Sequence, residues 1–262
     1  MLRKESEKMN IIVLIKQTFD TEEKIIVKNG DICQDGVNFI INPYDEFAIE
    51  EAIKLRDLHS GEVTVITIGP ERAENSLRTA LAIGADKAII VDSEDHDLDE
   101  YSIAKVLATV IKDREFDLIL CGNMGVDYGS GQVGPRLAEE LNIAQITTIT
   151  YMEINGDTAI IERDVEGDKE LVEVSLPILV TAQQGLNEPR YPSLPGIMKA
   201  KKKPIERLEI DELDIEDDIE AKTTVMETFF PPQKNAGRIL KGDLKVQITE
   251  LANLLRNEAK VL

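Results

Sequence analysis

The residues best suited to chemistry form the glycine-rich stretch "CGNMGVDYGSGQVGPRLAEEL", residues 121–141. Its glycines let backbone N–H groups approach an anion closely, and Ser130 adds a hydroxyl donor. A helical pattern follows directly, and the start of a helix carries a partial positive charge. These features predict phosphate binding. The stretch is neither a Walker A loop nor a good dinucleotide fingerprint, so a long loop with turn glycines stays open as the alternative.

Other chemically active groups are scarce. The only histidines are His59 and His96, and the only cysteines are Cys33 and Cys121. Catalytic triads, Cys-His dyads and His-based metal sites are therefore hard to assemble, and we expect no catalytic residue and no metal. We interpret the histidines as solvated and the cysteines as small buried hydrophobic residues.

The elements that must position the glycine stretch follow a βαβ pattern. Four β-branched runs without polar alternation predict strands buried on both faces, at 11–15, 63–68, 87–91 and 117–121. A 3.6-residue periodicity predicts the helices between them, at 45–58, 72–84 and 101–113. The fold class is therefore α/β: a mostly parallel, Rossmann-like, adenine-nucleotide-binding sheet with helices on both faces.

The first helix carries its own start signals in "INPYDEFA", residues 41–48. Asn42 is predicted to cap the helix, Pro43 suits its first position, and Asp45 and Glu46 complement its positive end. In an open α/β sheet the ends of parallel strands meet at one crevice. Leu14, residues 42–45, Ile68 and the glycine stretch are therefore expected to converge there.

After residue 145 the pattern changes to alternating strands around the turns "NGD" and "EGD", which predict added antiparallel strands. A small hairpin is predicted at Asn29-Gly30. The stretch "ERLEIDELDIEDDIEAKTT", residues 206–224, is dense in acids and predicts an extended, solvated connector. Residues 245–262 predict an amphipathic helix whose apolar side packs either on a partner subunit or on its own domain.

Charge and composition exclude several function classes. Fifty acidic against thirty basic residues give a net charge of -20, which disfavours nucleic acid and anionic membranes as partners. No apolar run approaches the roughly 20 residues that span a bilayer, and "MLRKESEKMN" lacks a secretion signal, so we expect a cytoplasmic protein without membrane insertion. The predicted organisation is a disordered extension (1–8), an α/β nucleotide-binding domain (9–207) and a C-terminal arm and helix (208–262).

Four segments give the sequence a close resemblance to the β subunit of electron transfer flavoproteins, most of all those of Gram-positive bacteria. They are "NPYDEFAIEEA" (42–52), "LRTALAIGADKAI" (77–89), "GNMGVDYGSGQVGP" (122–135) and "LNEPRYPSLPGIMKAKKKP" (186–204). The last is long, irregular and therefore the most specific. The resemblance runs from about Met9 to the C terminus, and it implies that the C-terminal arm and helix (208–262) contact the α subunit.

This resemblance implies an electron carrier rather than an enzyme. The family is a heterodimer in which the α subunit holds most of a redox-active FAD and the β subunit buries an AMP with a structural role. The implied path runs from acyl-CoA and related dehydrogenases of fatty acid β-oxidation, through FAD, to a quinone oxidoreductase and the quinone pool. Two alternatives stay open: a bifurcating subunit with a second FAD in place of AMP, and a stand-alone nucleotide-binding or sensing domain.

The resemblance also implies which residues form the cofactor site. They are Leu14, Asn42, Pro43, Tyr44, Asp45, Ile68, Gly122, Asn123, Met124, Gly125, Val126, Asp127, Tyr128, Gly129, Ser130, Gly131, Gln132 and Val133. Tyr44 would in addition lie near the flavin. A second aromatic often follows the Asp after the first strand, but here Thr21 follows Asp20.

Residues 185–204 correspond to the family's recognition loop, which docks on the partner dehydrogenase. Leu186 is implied as its anchor, a single exposed leucine that enters an apolar pocket of the partner. The flanking residues are Asn187, Glu188, Pro189, Arg190 and Tyr191. Lys199 and residues 201–203 either steer docking through their positive charge or form a solvated basic face.

Overall fold

The computed structural model describes residues 8–215, 219–234 and 236–262. Apart from the exposed Lys8, the predicted extension over residues 1–8 lies outside the described residues. The chain divides into two compact units, which are residues 8–25 with 34–226, and residues 26–33 with 227–262.

The strands and helices are numbered in chain order. The strands are β1 (Met9–Leu14), β2 (Gln17–Phe19), β3 (Val27–Lys28), β4 (Asp31–Ile32), β5 (Phe39–Ile41), β6 (Gly61–Gly69), β7 (Lys87–Asp92), β8 (Leu118–Gly122), β9 (Ala144–Asn155), β10 (Thr158–Val165), β11 (Asp168–Ser175), β12 (Ile178–Ala182) and β13 (Glu206–Glu209). The helices are α1 (Pro43–His59), α2 (Glu74–Ile83), α3 (Glu100–Ile111), α4 (Val133–Glu140), α5 (Leu194–Ala200) and α6 (Leu244–Asn257).

The first unit is built on one large sheet. Within the described residues it has nine strands in the order β11-β10-β9-β12-β8-β1-β6-β7-β13. Neighbours from β9 to β13 run parallel, and β10 and β11 extend the β9 edge in antiparallel fashion. The predicted α/β class, the mostly parallel sheet and the added antiparallel strands are confirmed.

Helices cover both faces of this sheet because successive strand residues point to opposite sides. Ile11 and Val13 of β1 belong to one apolar cluster, which includes buried residues of α1 and α2. Ile12 and Leu14 belong to a second cluster, which includes buried residues of α3 and α4. Strands buried on both faces explain why β1 reads as a continuous apolar run.

The predicted turns are present. Gly156 joins β9 to β10 and Gly167 joins β10 to β11, with φ of 65° and 96°. A positive φ is available to glycine at little steric cost, which explains the "NGD" and "EGD" sequences. The hairpin predicted at Asn29-Gly30 is formed by β3 and β4 of the second unit.

The acidic stretch that follows the basic segment differs from its prediction. Residues 206–209 form β13, which pairs in parallel with β7, so a solvated connector is wrong for this part. Leu208 packs against the second cluster and Ile210 is buried. These apolar residues at alternate positions supply contacts that the density of acidic residues concealed.

The second unit contains the predicted amphipathic helix as α6, and none of its residues is buried. Its exposed apolar side chains include Leu244, Val246, Ile248 and Leu251. What covers this apolar side stays a prediction. Every helix among the described residues is too short or too polar to cross a membrane.

Candidate functional site

A cavity of about 440 Å³ opens at the carboxyl ends of β1, β6 and β8. This volume falls within the roughly 300–1,000 Å³ of small-molecule sites. Its wall includes the glycine stretch that follows β8, the start of α3 and residues 223–225. This is the edge at which open α/β sheets bind ligands.

Most residues of the predicted cofactor site line this cavity. They are Leu14, Asn42, Asp45, Ile68, Gly122, Asn123, Met124, Gly125, Tyr128, Ser130, Gly131, Gln132 and Val133. Five predicted residues are absent from the wall in the described part of the chain, namely Pro43, Tyr44, Val126, Asp127 and Gly129. Val126 and Asp127 instead contact residues that do line it.

Asn42 holds the glycine stretch in place. Its Nδ2 donates to the Met124 carbonyl at 2.9 Å and to Asp45 Oδ1 at 3.0 Å. Its Oδ1 accepts a hydrogen bond from the Val126 backbone N–H at 3.1 Å. Asn42 is the N-cap residue of α1, as predicted, but its side chain makes no cap hydrogen bond and is used for these longer-range contacts instead.

Asp45 lies in the first turn of α1, as predicted, but its carboxylate connects three parts of the site. Oδ2 accepts from the Lys16 backbone N–H at 2.7 Å, and Oδ1 accepts from the Gly122 backbone N–H at 3.0 Å and from Asn42. Burial raises the pKa of Asp45 to about 7, although these hydrogen bonds and the nearby Lys16 charge favour the carboxylate. Asp45 is therefore a buried brace that titrates near neutral pH.

The hydrogen bond between the Gly122 N–H and Asp45 requires a glycine at this position. A Cβ at Gly122 would collide with the Asp45 carboxylate and with the Tyr44 side chain. The absence of a side chain lets the end of β8 approach the start of α1 closely enough for the Asp45 hydrogen bond.

Lys16 brings positive charge to the cavity wall and was not predicted. Its Nζ lies 2.8 Å from both carboxylate oxygens of Asp127 and 5.4 Å from the centre of the Tyr128 ring. These contacts tie the end of β1 to the glycine stretch. Its position two residues after Leu14 could have indicated a place at the carboxyl edge of the sheet.

The donor groups next to α4 fit a phosphate group. Gly129 and Gly131 have φ of 67° and 61°, so they form a turn that non-glycine residues rarely adopt. The chain then enters α4, whose N-cap residue Gln132 makes no side-chain cap hydrogen bond. First-turn N–H groups lack partners within the helix, and with the Ser130 hydroxyl they can bind an anion.

A further part of the cavity wall, formed by residues 97–103, fits a nucleoside and was missed in the sequence. Asp97 and Glu100 also line the cavity, and carboxylates can accept hydrogen bonds from sugar hydroxyls. Leu98 and Ile103 add apolar surface that suits a base. The loop "VDSEDHDLDE", residues 91–100, was not assigned to the site, but its place between β7 and α3 puts it at the same edge of the sheet.

The histidines and cysteines have separate surroundings. His96 Nε2 lies 3.2 Å from Asp211 Oδ1, and the partly exposed His59 ends α1. Cys121 is buried in the cavity wall, where burial raises the pKa of its thiol. Cys33 is only partly buried, so the prediction of a buried residue is wrong there. Among the described residues, no group of His, Cys, Asp and Glu side chains is arranged to hold a metal ion.

A second region of functional interest is the segment 185–204, which α1 holds through two buried glutamates. Glu50 accepts hydrogen bonds from Arg190 Nε at 2.7 Å, Arg190 Nη2 at 2.9 Å and the Arg190 backbone N–H at 3.2 Å. Glu51 accepts one from Asn187 Nδ2 at 2.9 Å. These hydrogen bonds therefore fix the segment to α1.

The exposed apolar residues of this segment are not where the sequence placed them. Leu186 is partly buried and packs against the first apolar cluster, so the expectation of an exposed leucine at this position is wrong. Leu194 is 80% exposed and Tyr191 is 94% exposed. Ser193 caps α5 by accepting a hydrogen bond from the Gly196 N–H at 3.1 Å, which fixes the backbone beside Leu194.

The lysines of the segment divide into two kinds. Lys203 Nζ donates to the Ala85 carbonyl at 2.6 Å and so points inward. Lys199, Lys201 and Lys202 are exposed. These three place positive charge at the C-terminal end of α5, the helix that begins at Leu194, in a chain whose net charge is -20.

The sequence matches the electron transfer flavoprotein domain family over residues 30–213. It is 61% identical to the electron transfer flavoprotein subunit beta of Bacillus subtilis, over 97% of this chain and 100% of the relative. Identity to the protein of the same name is 41% for Syntrophomonas wolfei, over 97% and 98% of the two chains. For Sus scrofa it is 37%, over 92% and 94%.

Proposed function

This chain belongs to the electron transfer flavoprotein family as a β subunit, and from that membership we propose that it pairs with an α subunit to carry electrons through a shared FAD. The donors in this proposal are acyl-CoA and related dehydrogenases of fatty acid β-oxidation, and the acceptor is a quinone oxidoreductase. The identity of 61% over the whole length of a β subunit carries the proposal. FAD, when bound, supplies the redox chemistry, and the protein binds and positions it.

In this proposal the cavity of the first unit holds AMP. Support comes from the donors at Ser130 and the start of α4, and from Asp97 and Glu100 in the lining of the same cavity. Asn42 and Asp45 position the glycine stretch. AMP bound only by the folded protein would stabilise it by about 4 kcal/mol at a thousandfold excess over its dissociation constant.

Tyr44 is assigned to the flavin side of the subunit. Its side chain is only partly buried and is not part of the cavity wall among the described residues. Thr21, where a second aromatic is common in the family, is exposed and offers no ring to the flavin. In this proposal the α subunit holds most of the FAD, as the family resemblance implies.

The segment 185–204 docks on the dehydrogenase, with Leu194 rather than Leu186 as its anchor. The 80% exposure of Leu194, the nearby Tyr191 and the exposed lysines support this assignment. A small apolar contact with a charged rim suits a transient complex. Glu50 and Glu51 keep the segment in place before the partner arrives, which lowers the entropy cost of docking.

The direct test is single-turnover reduction of the flavin in the heterodimer purified with its α subunit. Addition of an acyl-CoA and its dehydrogenase should bleach the oxidised flavin, and a quinone oxidoreductase should restore it. No bleaching with any acyl-CoA dehydrogenase, but bleaching with NADH and ferredoxin present, would move the protein to the bifurcating class. A stable monomer that binds nucleotide and ignores the α subunit would support the stand-alone domain.

A further inference from the structure

Residues 222–225, named here the strap, belong to the first unit and contribute Thr223, Thr224 and Val225 to the cavity wall. In sequence they lie far beyond the other wall residues. Ile219, just before the strap, packs against the second apolar cluster. The chain is therefore fixed at Ile219, just before the strap. The contacts that hold residues 222–225 then decide whether the strap completes the cavity wall.

Asp99 holds the strap with one carboxylate oxygen. Oδ2 accepts hydrogen bonds from the Lys222 backbone N–H at 2.7 Å, the Thr223 backbone N–H at 2.9 Å and Thr223 Oγ1 at 3.1 Å. The other oxygen, Oδ1, caps α3 by accepting from the Ser102 backbone N–H and from Ser102 Oγ, both at 3.0 Å. One side chain thus joins a helix start and the strap through different atoms.

The charge of Asp99 strengthens these contacts. Desolvation alone would raise its pKa, but hydrogen bonds from Ser102, Lys222 and Thr223 hold the pKa of this carboxyl well below its usual range. Asp99 is therefore ionised at neutral pH, and hydrogen bonds to an ionised acceptor are stronger than neutral ones. The side chain of Lys222 adds a second contact, because its Nζ lies 5.2 Å from the centre of the Tyr101 ring on α3.

We infer that Asp99 is a positioning residue that fixes the strap as a wall of the nucleotide cavity and thereby slows the release of a bound nucleotide. The inference rests on the proposed function, since it takes AMP as the occupant. Residues 223–225 can contact AMP only while the strap is in place. Loss of the Oδ2 contacts should therefore shorten the residence time of AMP without removing the phosphate side of the site.

A conservative variant separates the two roles of Asp99. In Asp99→Asn the amide oxygen can still cap α3, since asparagine is among the best cap residues. The amide nitrogen is a donor and cannot accept from the N–H groups of Lys222 and Thr223. Ser102→Ala is the matched control, because it removes one hydrogen bond on the cap side and leaves the strap contacts intact.

The experiment uses the heterodimer with its α subunit, loaded with radiolabelled AMP and chased with unlabelled AMP. We expect release to be about tenfold faster in Asp99→Asn, which corresponds to the loss of roughly one charge-assisted hydrogen bond. Thr223→Val, which loses only the hydroxyl contact, should accelerate release about threefold. Ser102→Ala should stay within about twofold of the wild type. Amide exchange of the strap should rise in Asp99→Asn alone.

The outcomes are distinct. Wild-type rates in Asp99→Asn would overturn the inference, as would equal acceleration in Ser102→Ala, because that result would assign the effect to the helix cap. If Asp99→Asn fails to fold, the AMP release rate of Thr223→Val is the test. An unchanged release rate in Thr223→Val would then overturn the inference. A wild-type heterodimer without AMP contradicts the proposed occupant itself, and that failure is visible before any variant is measured.

Discussion

One helix, α1, positions both functional regions, and it does so with buried acidic side chains used in opposite ways. Asp45 at its start is 5% exposed and draws the glycine stretch inward around the cavity. Glu50 in its middle is 3% exposed and binds Arg190 of the segment 185–204. Leu194 of that segment is 80% exposed. The cavity directs polar groups inward, whereas the docking segment directs apolar groups outward.

This difference separates stability from recognition. Beside the cavity, the buried side chains of Asn42 and Asp45 pair with backbone groups of the glycine stretch, so a substitution there leaves unpaired groups and costs folding free energy. On the docking segment, the exposed leucine contributes little to folding and much to a partner contact. Substitutions in the two regions should therefore affect different measurements.

The largest effect is expected for Asp45→Ala. The variant leaves the backbone N–H groups of Lys16 and Gly122 without their acceptor, at about 1–3 kcal/mol each. We expect the free energy of unfolding to fall by roughly 3 kcal/mol and the AMP content of the heterodimer to fall with it. Urea unfolding and nucleotide chromatography measure the two quantities. The neighbouring, only partly buried Glu46 provides the control Glu46→Ala, and equal losses in both variants would refute the special role of Asp45.

Stability should next depend on pH through Asp45. The pKa of its carboxyl rises from 3.8 to about 7 on burial, so between these values the folded protein keeps a proton that the unfolded chain has lost. This contribution is complete below pH 3.8 and is lost as pH rises to about 7. From pH 5 to pH 7 it should remove roughly 2 kcal/mol from the free energy of unfolding. Asp45→Asn should show a correspondingly smaller decline, and an identical pH profile would contradict the raised pKa.

An intermediate effect is expected for Glu50→Gln, which weakens the support of the docking segment. Losing the charge-assisted contacts to the partly exposed Arg190 should cost about 1–2 kcal/mol of unfolding free energy and slow flavin reduction by the dehydrogenase severalfold. The exposed Glu188 offers the control Glu188→Ala, which should leave stability unchanged. Normal reduction kinetics in Glu50→Gln would show that docking does not need this support.

The smallest effect on stability belongs to Leu194→Ala, which should stay within about 0.5 kcal/mol of the wild type. Its reduction by acyl-CoA dehydrogenase should nevertheless slow severalfold or more, because an exposed anchor acts in docking. Leu186→Ala is the matched control, and its partly buried side chain predicts the reverse, a loss of about 1 kcal/mol with nearly normal docking. Stopped-flow traces that slow only for Leu186→Ala would restore Leu186 as the anchor.

Much of the fold was predictable because its elements are long and strongly periodic. β1, β6, β7 and β8 and the helices between them lie within a few residues of their predicted bounds. The place of the glycine stretch followed from the rule that parallel strands end at a common edge. Both predictions rest on local pattern and general topology.

The missed features depend on contacts between residues that are distant in sequence. The Asn42 side chain contacts Met124 and Val126 instead of forming a cap hydrogen bond in α1. Asp99 contacts the strap, which lies more than a hundred residues later in the sequence. The sequence predicted Leu186 as the exposed leucine, and only packing shows that Leu186 is partly buried while Leu194 is exposed. Such choices are decided by tertiary structure, which no local pattern encodes.

The most direct test of the account is to denature the purified heterodimer and to identify and count the released nucleotides by chromatography. We expect FAD and AMP in equal amounts, one of each per heterodimer, and loss of AMP but not of FAD in Asp45→Ala. Two FAD per heterodimer without AMP would contradict the assignment of the cavity, and no adenine nucleotide besides the shared FAD would remove the cavity from the proposed function.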